Sequence, residues 1–342
     1  MKLQVSPALL NKPEAFDEPN HDLRPESFDD YKGQAVLKNK LKIYAQAAHL
    51  RNEPLDHVLL FGPPGLGKTT LACIMAKVMD VDIKICSGPI LERTGDLIAL
   101  LTGLQPRSIF FIDEIHRLPI TVEEVLYGAM EHYRVDVIIG QGAGAEAINV
   151  PVSPFTLVGA TTKPALLSAP LRSRFGITER LDFYTETELQ EIVEHNARFL
   201  GFTVTPPAAY MIAACARGTP RVAKRILRRV RDCAQVQGTT HIDEATVKYA
   251  LDLLGIDPEG LTLLDHAILK TITDMFGGGP VGLETIASIV GEDSSTLEDV
   301  YEPFLIRKGY LEKSSRGRHI PAKALLHLKK LYQGQAHIFS EI

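Results

Sequence analysis

The chain has 342 residues, of which 45% are hydrophobic and 23% are charged, so a disordered or fibrous protein is excluded. At about 100–200 residues per domain, this length predicts two or three domains. With 37 basic and 42 acidic residues the net charge is −5, which excludes coating nucleic acid by bulk charge but allows a local basic patch. The chain has neither a membrane-length apolar run nor a signal-peptide core, and its four cysteines are scattered, so we expect a soluble, cytoplasmic protein with reduced thiols.

The first part of the chain predicts an α/β domain. Residues 1–30 lack periodicity and are expected to be mostly loop, after which an amphipathic helix begins at Gln34 and ends before Pro54. Its apolar positions are Leu37, Leu41, Tyr44 and Ala48. Three continuous apolar runs alternate with helical stretches, which is typical of buried parallel strands. These runs are residues 57–61, 108–112 and 155–159.

A β-hairpin is predicted between the last two apolar runs. Residues 134–139 and 147–151 are its strands, and Gly140 to Gly144 form a glycine-rich tip. Its branched apolar side chains are more numerous than a projecting hairpin needs, which indicates either a protein contact or a hairpin folded onto its own domain.

Beyond residue 184 the sequence predicts helices. Thr185 and Glu188 form a capping box, Pro220 begins another helix, and Gly255 ends a third, so a small all-α domain is expected. Residues 256–260 have the composition of a linker. The predicted domains are residues 1–184, 185–255 and 256–342.

The segment from Gly62 to Thr69 matches the phosphate-loop pattern G-x-x-x-x-G-K-S/T, follows a predicted strand and opens a helix. Glycines let backbone N–H groups approach phosphate oxygens, and the helix N-terminus adds positive potential. Lys68 is predicted to reach the β- and γ-phosphates, and the Thr69 hydroxyl to hold Mg²⁺. A glycine-rich surface turn would not require this order of strand, loop and helix.

Two carboxylates, Asp113 and Glu114, follow the second buried strand. Alone, such a pair is typical of a solvated strand end. Downstream of a phosphate loop, Asp113 is predicted to complete a metal shell and Glu114 to polarise the attacking water. Hydrolysis also needs positive charge on the transferring phosphoryl group, for which Arg174 and Arg221 are candidates.

The charge of the C-terminal region changes from negative to positive along the chain. From Leu283 to Glu302 it has acidic residues without Lys or Arg, whereas basic residues dominate from Arg307 onward. Two short helices, about 283–290 and 295–308, resemble a helix-turn-helix, and residues 310–320 resemble a wing. An acidic second helix would repel phosphates, so we expect the wing to grip the DNA backbone rather than the helix to read bases. The alternative is a solvated charge run on a packing domain.

Together these motifs resemble the AAA+ ATPases, and most closely the RuvB family of Holliday-junction branch-migration motors, over nearly the whole chain. The resemblance implies an α/β AAA+ domain with a parallel sheet flanked by helices, a small all-α lid domain and a C-terminal winged-helix domain. The segments that carry it are Leu23-Arg24-Pro25, residues 28–34, the phosphate loop, and residues 159–162, 169–177 and 218–221.

The resemblance also implies ATP and Mg²⁺ as cofactors and a hexameric ring. Leu23, Arg24 and Tyr184 would line the adenine end of the site, and Arg221 would be the sensor of the lid. Thr161 or Thr162 would sense the γ-phosphate, and Arg174 would be an arginine finger acting on a neighbouring subunit's ATP. The remaining nucleotide contacts would be Gly65, Leu66, Gly67, Lys68, Thr69 and Thr70 in the loop, and Glu131, His132 and Tyr133 from elsewhere in the assembly.

Two further surfaces follow from the resemblance. The hairpin side chains Ile138, Ile139, Ile148 and Val150 would dock a RuvA-type junction-binding protein. Lys313, Arg316 and Arg318 would bind DNA; Lys313 stands where an arginine would be expected, and lysine does not make the bidentate contact of arginine.

Two other functions compete with a branch-migration motor. A clamp-loader-type AAA+ protein would end in a helical collar instead of a winged helix. A winged-helix regulator that merely binds ATP would not need Glu114 and Arg174, which serve turnover.

Overall fold

The computed structural model describes residues 23–139, 146–326 and 328, and the chain divides into two units between Arg228 and Arg229. The first unit contains, in chain order, α1 (Ala35–Arg51), β1 (Val58–Phe61), α2 (Lys68–Met79), β2 (Ile83–Ser87), α3 (Thr94–Thr102), β3 (Ile109–Asp113), α4 (Ile120–His132), β4 (Arg134–Ile139), β5 (Glu146–Pro151), β6 (Thr156–Thr161), α5 (Ala169–Ser173), β7 (Ile177–Arg180), α6 (Glu186–Phe199), β8 (Thr203–Val204) and α7 (Pro206–Cys215). Helix α8 (Pro220–Val236) contains the division.

A parallel five-stranded sheet in the order β2-β3-β6-β1-β7 forms the centre of the first unit. The three predicted apolar runs are confirmed as β1, β3 and β6, and every residue of β6 is buried. Phe61, the last residue of β1, pairs with Thr161 of β6 and with Arg180 of β7. Parallel strands end at one edge of a sheet, so the phosphate loop, Asp113 and Thr161 all follow or end strands at the same edge, where α/β proteins bind ligands.

The outer strands β2 and β7 were not predicted. In β2 only Cys86 is fully buried and the other residues are partly buried, whereas β7 alternates between partly buried and exposed residues. Neither strand therefore has the continuous apolar run that marks a central parallel strand.

The predicted first helix is confirmed as α1, with one correction to its buried face. Leu37, Leu41 and Ala48 are buried as expected, but Ala45 takes the remaining core position and Tyr44 is 39% exposed. The loop that precedes the helix also contributes to the core, because Phe28 and Tyr31 are 2% and 3% exposed.

The capping box of Thr185 and Glu188 is confirmed at the start of α6, and α8 begins at Pro220. Two details of the predicted all-α domain were wrong. The two-residue strands β8 and β9 (His241–Ile242) lie in this stretch, and α7 was missed. Helix α7 starts with two prolines, which are tolerated in a first turn because its N–H groups have no intrahelical acceptor.

The second unit continues from α8 with β9, α9 (Glu244–Leu253), α10 (Leu263–Lys270), α11 (Leu283–Val290), α12 (Ser294–Thr296), α13 (Glu302–Arg307), β10 (Glu312–Ser314) and β11 (Gly317–His319). The first predicted helix of the helix-turn-helix is α11. The second consists of α12 and α13, joined through a π-helical turn at Leu297–Tyr301. The wing is confirmed as the antiparallel pair β10–β11. The predicted linker is a hydrogen-bonded turn, since the Asp257 carboxylate accepts N–H bonds from Glu259 and Leu261 at 2.9 and 2.8 Å.

The predicted hairpin is confirmed as the antiparallel pair β4–β5, and its glycine-rich tip lies outside the described residues. Within the described ranges, no helix is long and apolar enough to cross a bilayer.

Candidate functional site

The phosphate loop is held in a conformation that its glycines permit. Gly65 and Gly67 have φ values of 80° and 101°, a region that L side chains rarely adopt. A Cβ atom at Gly67 would lie 3.0 Å from the Tyr31 hydroxyl, and one at Gly65 would lie 3.1 Å from the Arg221 Cβ. The loop is therefore packed between the N-terminal segment and the start of α8, and a side chain at either glycine would strain the backbone and crowd these neighbours.

Lys68 is the first residue of α2 and is 8% exposed. Its Nζ donates to the carbonyl oxygens of Gly62 at 2.8 Å and Pro63 at 2.9 Å, within the loop itself. Burial lowers the pKa of Lys68 to about 8, an effect that the nearby charge of Asp113 opposes. At neutral pH most of the lysine is therefore still protonated, as a phosphate ligand must be.

Two buried tyrosines brace the loop from outside. The Tyr31 hydroxyl donates to the Leu66 carbonyl at 3.1 Å, and the Tyr184 hydroxyl donates to that of Tyr31 at 2.8 Å. Burial raises the pKa of Tyr31 to about 12 and that of Tyr184 further, so both remain neutral donors. Tyr184 was predicted as a site residue but Tyr31 was not, although Tyr31 lies in the 28–34 segment that carries the family resemblance.

The start of α8 also meets the loop and the N-terminal segment. The Arg221 backbone N–H donates to Gly65 at 3.4 Å, and the Lys224 ammonium donates to the Leu23 carbonyl. Leu23 is buried. The Lys224 ammonium is therefore partly buried against the N-terminal segment.

The two carboxylates lie where β3 ends. Asp113 is the last residue of the strand, and its Oδ1 accepts the Glu114 N–H at 2.9 Å. Glu114 has φ 49° and ψ 42°, a left-handed conformation that is uncommon outside glycine and is often found at active sites. Its carboxylate is 45% exposed and forms an ion pair with Arg117 at 3.3 Å.

Thr161 and Thr162 differ in their surroundings. Thr161 is 1% exposed, accepts the Lys163 N–H at 3.0 Å and lies 2.9 Å from Nδ1 of His116. Burial lowers the pKa of His116, so its ring is neutral at neutral pH, and either the ring nitrogen or the Thr161 hydroxyl can donate the hydrogen bond between them. Thr162 is only partly buried. His116 was not selected from the sequence, where nothing distinguishes it from a polar loop residue.

Arg174 lies at the end of α5, and its described contacts are with residues of α4 and α5. Its Nη1 donates to the Pro170 carbonyl at 2.7 Å, its Nη2 forms an ion pair with Glu131 at 3.1 Å, and its Cζ lies 4.5 Å from the Tyr127 ring centroid. The structure thus brings Arg174 together with Glu131 and not with Lys68. His132 is exposed and Tyr133 is partly buried on the same stretch.

The hairpin divides into a packed part and an exposed part. Val135 is 2% exposed, and Val137 and Val150 pack against the core, so Val150 lies in its own domain instead of on a free surface. Ile148 is 44% exposed. Ile138 and Ile139 belong to β4, and their side chains lie outside the described part of the structure.

On the wing, Lys313 and Arg318 face each other across β10 and β11 and share one carboxylate. Glu302, 3% exposed, accepts from Lys313 Nζ at 2.6 Å and from Arg318 Nε at 2.6 Å. Burial alone would lower the pKa of Lys313, but the hydrogen bonds that its ammonium donates to Glu302 and Glu298 outweigh this effect and raise the pKa. Arg316 is exposed at the turn, and the structure as described shows no ion pair for it.

The Thr69 hydroxyl and the Asp113 carboxylate fit Mg²⁺, which prefers oxygen ligands and is commonly held by one or two protein groups plus substrate phosphates and water. No cluster of three or more His, Cys, Asp or Glu side chains suited to a metal occurs among the described residues.

Three family models together match most of the chain. Residues 23–181 match the Holliday junction DNA helicase RuvB P-loop domain, residues 184–257 the RuvB AAA lid domain, and residues 258–329 the RuvB C-terminal winged helix domain.

Individual relatives agree with these matches. The Holliday junction branch migration complex subunit RuvB of Fusobacterium nucleatum is 50% identical over 309 residues, covering 90% of this chain and 93% of that protein. The solved Holliday junction branch migration motor RuvB of Thermotoga maritima is 48% identical with a TM-score of 0.81, over 90% of this chain and 98% of that one. A lysine-to-arginine variant of it is 47% identical with a TM-score of 0.82, with the same coverage.

Proposed function

Since the chain belongs to the RuvB family of Holliday junction DNA helicases, it is an ATP-driven branch-migration motor, and we propose how its residues do this work. It comprises a P-loop domain with a parallel sheet flanked by helices, an AAA lid and a winged-helix domain. The winged helix favours a branch-migration motor over a clamp loader, which would end in a helical collar. We propose domain limits at 1–184, 185–255 and 256–342, a homohexameric ring, a RuvA-type partner, Mg²⁺ with the ATP, and action in the cytoplasm.

The observation that supports the ring is that the contacts described for Arg174 lie on α4 and α5 and do not include the phosphate loop of its own chain. Its contacts are Pro170, Tyr127 and Glu131. An arginine finger must reach the transferring phosphoryl group. Arg174 would therefore complete the site of a neighbouring subunit, with Glu131, His132 and Tyr133 beside it at the same interface.

Within one subunit, the phosphates would lie on the loop from Gly65 to Thr70, where Lys68 exchanges its carbonyl partners for β- and γ-phosphate oxygens. Arg221, whose backbone N–H donates to the Gly65 carbonyl, would add the positive charge of its guanidinium to the same phosphates. The adenine end would lie against Leu23, Arg24 and Tyr184. Because Tyr184 is hydrogen-bonded to Tyr31, and Tyr31 to the Leu66 carbonyl, the residues that contact the base would be connected to the loop that binds the phosphates.

Hydrolysis needs an activated water and compensation of charge on the phosphoryl group. Glu114, at the end of β3, would orient and polarise the water. Thr161 is the better candidate for the γ-phosphate sensor, because His116 and Lys163 fix its hydroxyl, although Thr162 is the more accessible of the two. When bound through Thr69 and Asp113, Mg²⁺ would supply charge neutralisation on the β- and γ-phosphates.

Branch migration of a synthetic four-way junction tests the function, and Ile148→Glu tests the partner surface. With RuvA present, the unmodified chain is expected to separate the junction arms in an ATP-dependent reaction. Ile148→Glu should abolish this while leaving ATP hydrolysis without RuvA unchanged, because an unpaired charge buried at an interface costs about 3–5 kcal/mol.

The matched control for that variant is Asn149→Lys, which places a charge on the opposite face of β5 beside Asp136, its present partner at 2.8 Å. It should keep RuvA binding and branch migration. Normal RuvA binding by Ile148→Glu would mean that the hairpin serves only its own domain.

We propose that the wing contacts DNA phosphates through Arg316, with Lys313 and Arg318 contributing from the strands behind it. The support is the exposure of Arg316 and the partial neutralisation of the other two by Glu302 and Glu298. A backbone contact of this kind carries no sequence information, which suits a motor that must accept any sequence.

Alanine substitutions on the wing should distinguish a residue that only contacts DNA from one that also stabilises the domain. Arg316→Ala is expected to weaken DNA binding equally for all sequences and to lower its log–log salt slope by about 1, with the melting temperature unchanged. Arg318→Ala should in addition destabilise the protein by about 1–3 kcal/mol, because it removes a hydrogen-bonded partner of a buried carboxylate. Salt titrations of binding and thermal melts of both variants measure this. A sequence-selective loss with Arg316→Ala would indicate base reading instead.

A further inference from the structure

Helix α4 presents three side chains, each four residues from the next, toward the end of α5 where Arg174 lies. Residues spaced by four lie on one face of a helix. Glu123 is 4% exposed, Tyr127 lies under the Arg174 guanidinium, and Glu131 forms the ion pair at 3.1 Å. One helix face thus provides a buried anchor, an aromatic surface and a counter-charge.

The aromatic surface holds the guanidinium without using its hydrogen-bond donors. The Arg174 side chain is 21% exposed with its Cζ 4.5 Å from the Tyr127 centroid. A cation at this distance is attracted by the ring quadrupole. In the described part of the chain, the Arg174 Nε is buried and has no hydrogen-bond acceptor. Nη1 and Nη2 donate to Pro170 and Glu131, and the contact with Tyr127 does not use them. It therefore holds the group in place while these two donors exchange their partners for phosphate oxygens.

Tyr127 is itself fixed through its hydroxyl. Its Oη lies 3.2 Å from Glu123 Oε2 and 3.0 Å from Ser168 Oγ, and the Ser168 hydroxyl donates to the same Glu123 oxygen at 2.5 Å. Ser168 also accepts the Leu171 N–H at 3.3 Å, which caps the start of α5. The same serine therefore holds both the aromatic ring and the short helix that precedes Arg174.

We propose that Tyr127, fixed by Glu123 and Ser168, is a positioning residue that holds Arg174 in the conformation required to reach a neighbouring subunit's ATP. The proposal rests on the proposed finger role of Arg174. An arginine side chain has many rotamers, and contact with a flat aromatic ring restricts it to few of them before it reaches the phosphoryl group. In the described part of the chain, the hydrogen bonds and the ring contact of Tyr127 are with Glu123, Ser168 and Arg174 and not with the phosphate loop or Glu114. Its effect should therefore appear only in the subunit that donates the finger.

Mixed rings of full-length variants isolate that subunit. In the reference mixture, Arg174→Ala supplies intact pockets and Lys68→Ala supplies intact fingers from subunits with dead pockets. Two further mixtures replace the donor by Lys68→Ala/Tyr127→Leu, which lacks the ring, or by Lys68→Ala/Tyr127→Phe, which keeps it. ATP turnover per mixed ring and ATP affinity are measured in all three.

The leucine donor is expected to lower turnover about 2- to 30-fold below the reference, the range that one cation–π contact supplies, with ATP affinity unchanged. The phenylalanine donor should retain most of the activity. Equal turnover with all three donors would overturn the proposal. An inactive reference mixture would instead overturn the finger role itself, and the support role with it.

A second measurement tests whether the leucine substitution disturbs the fold of its own domain. Tyr127→Leu alone, in an otherwise unmodified chain, should bind ATP normally and turn it over slowly. A loss of ATP affinity as large as the loss of turnover would identify Tyr127 as a structural residue of its own domain and would also overturn the proposal.

Discussion

Replacing Arg174 with alanine is expected to leave ATP binding nearly unchanged and to slow hydrolysis by about 10³–10⁵-fold, the contribution of an arginine finger. The variant keeps its own Lys68 and Glu114, and the side chain that it loses contacts Tyr127, Glu131 and Pro170 instead of the phosphate loop. ATP affinity and steady-state turnover of the purified variant measure the two effects separately.

Mixing this variant with Lys68→Ala decides whether the arginine acts between subunits. Activity should return wherever a Lys68→Ala subunit offers its Arg174 to the intact pocket of an Arg174→Ala subunit, although neither variant is active alone. If mixed rings form and remain inactive, Arg174 acts within its own subunit or has no role in hydrolysis.

Lys68→Ala and Glu114→Gln should fail at different steps. Lys68 carries the positive charge closest to the expected phosphates, so its alanine variant should lose ATP binding. Glu114→Gln should bind ATP and turn it over about 10²-fold or more slowly, because the isosteric amide cannot act as a base toward water. Binding of a fluorescent ATP analogue, followed by single-turnover hydrolysis, separates the two defects.

A control for Glu114→Gln is Arg117→Ala, which removes the 3.3 Å ion pair of Glu114 but leaves its carboxylate in place. This control should retain most of the turnover, since Arg117 is exposed and the pair is a surface contact. Equal losses of affinity and of turnover in Lys68→Ala and Glu114→Gln would contradict the division of roles.

Features set by short stretches of chain could be predicted from the sequence. The phosphate loop needs glycines at particular positive φ values followed by Lys68 and Thr69, and that requirement is written in eight consecutive residues. The capping box of Thr185 and the helix α11 depend on neighbours three or four residues away. The three central strands were visible because burial on both faces demands a continuous apolar run.

Contacts between distant residues were decided only by the tertiary structure. Tyr184 and Tyr31 are 153 residues apart, and Thr161 and His116 are 45 apart, so neither pair is implied by local spacing. Both pairs exist because the strand order β2-β3-β6-β1-β7 places chain segments together at one edge of the sheet. The outer strands β2 and β7 were not predicted because they are only partly buried and their apolar pattern is therefore weak.

The charge pattern shows the same division for the basic C-terminal stretch. The sequence by itself determined that Lys313, Arg316 and Arg318 lie on a wing, because the hairpin pattern and the turn are local. Only the packed domain decided that Lys313 and Arg318 share the buried carboxylate of Glu302 while Arg316 is exposed. The physical reason is that the sequence shows only the order of charges along the chain, whereas folding brings opposite charges from distant positions into contact.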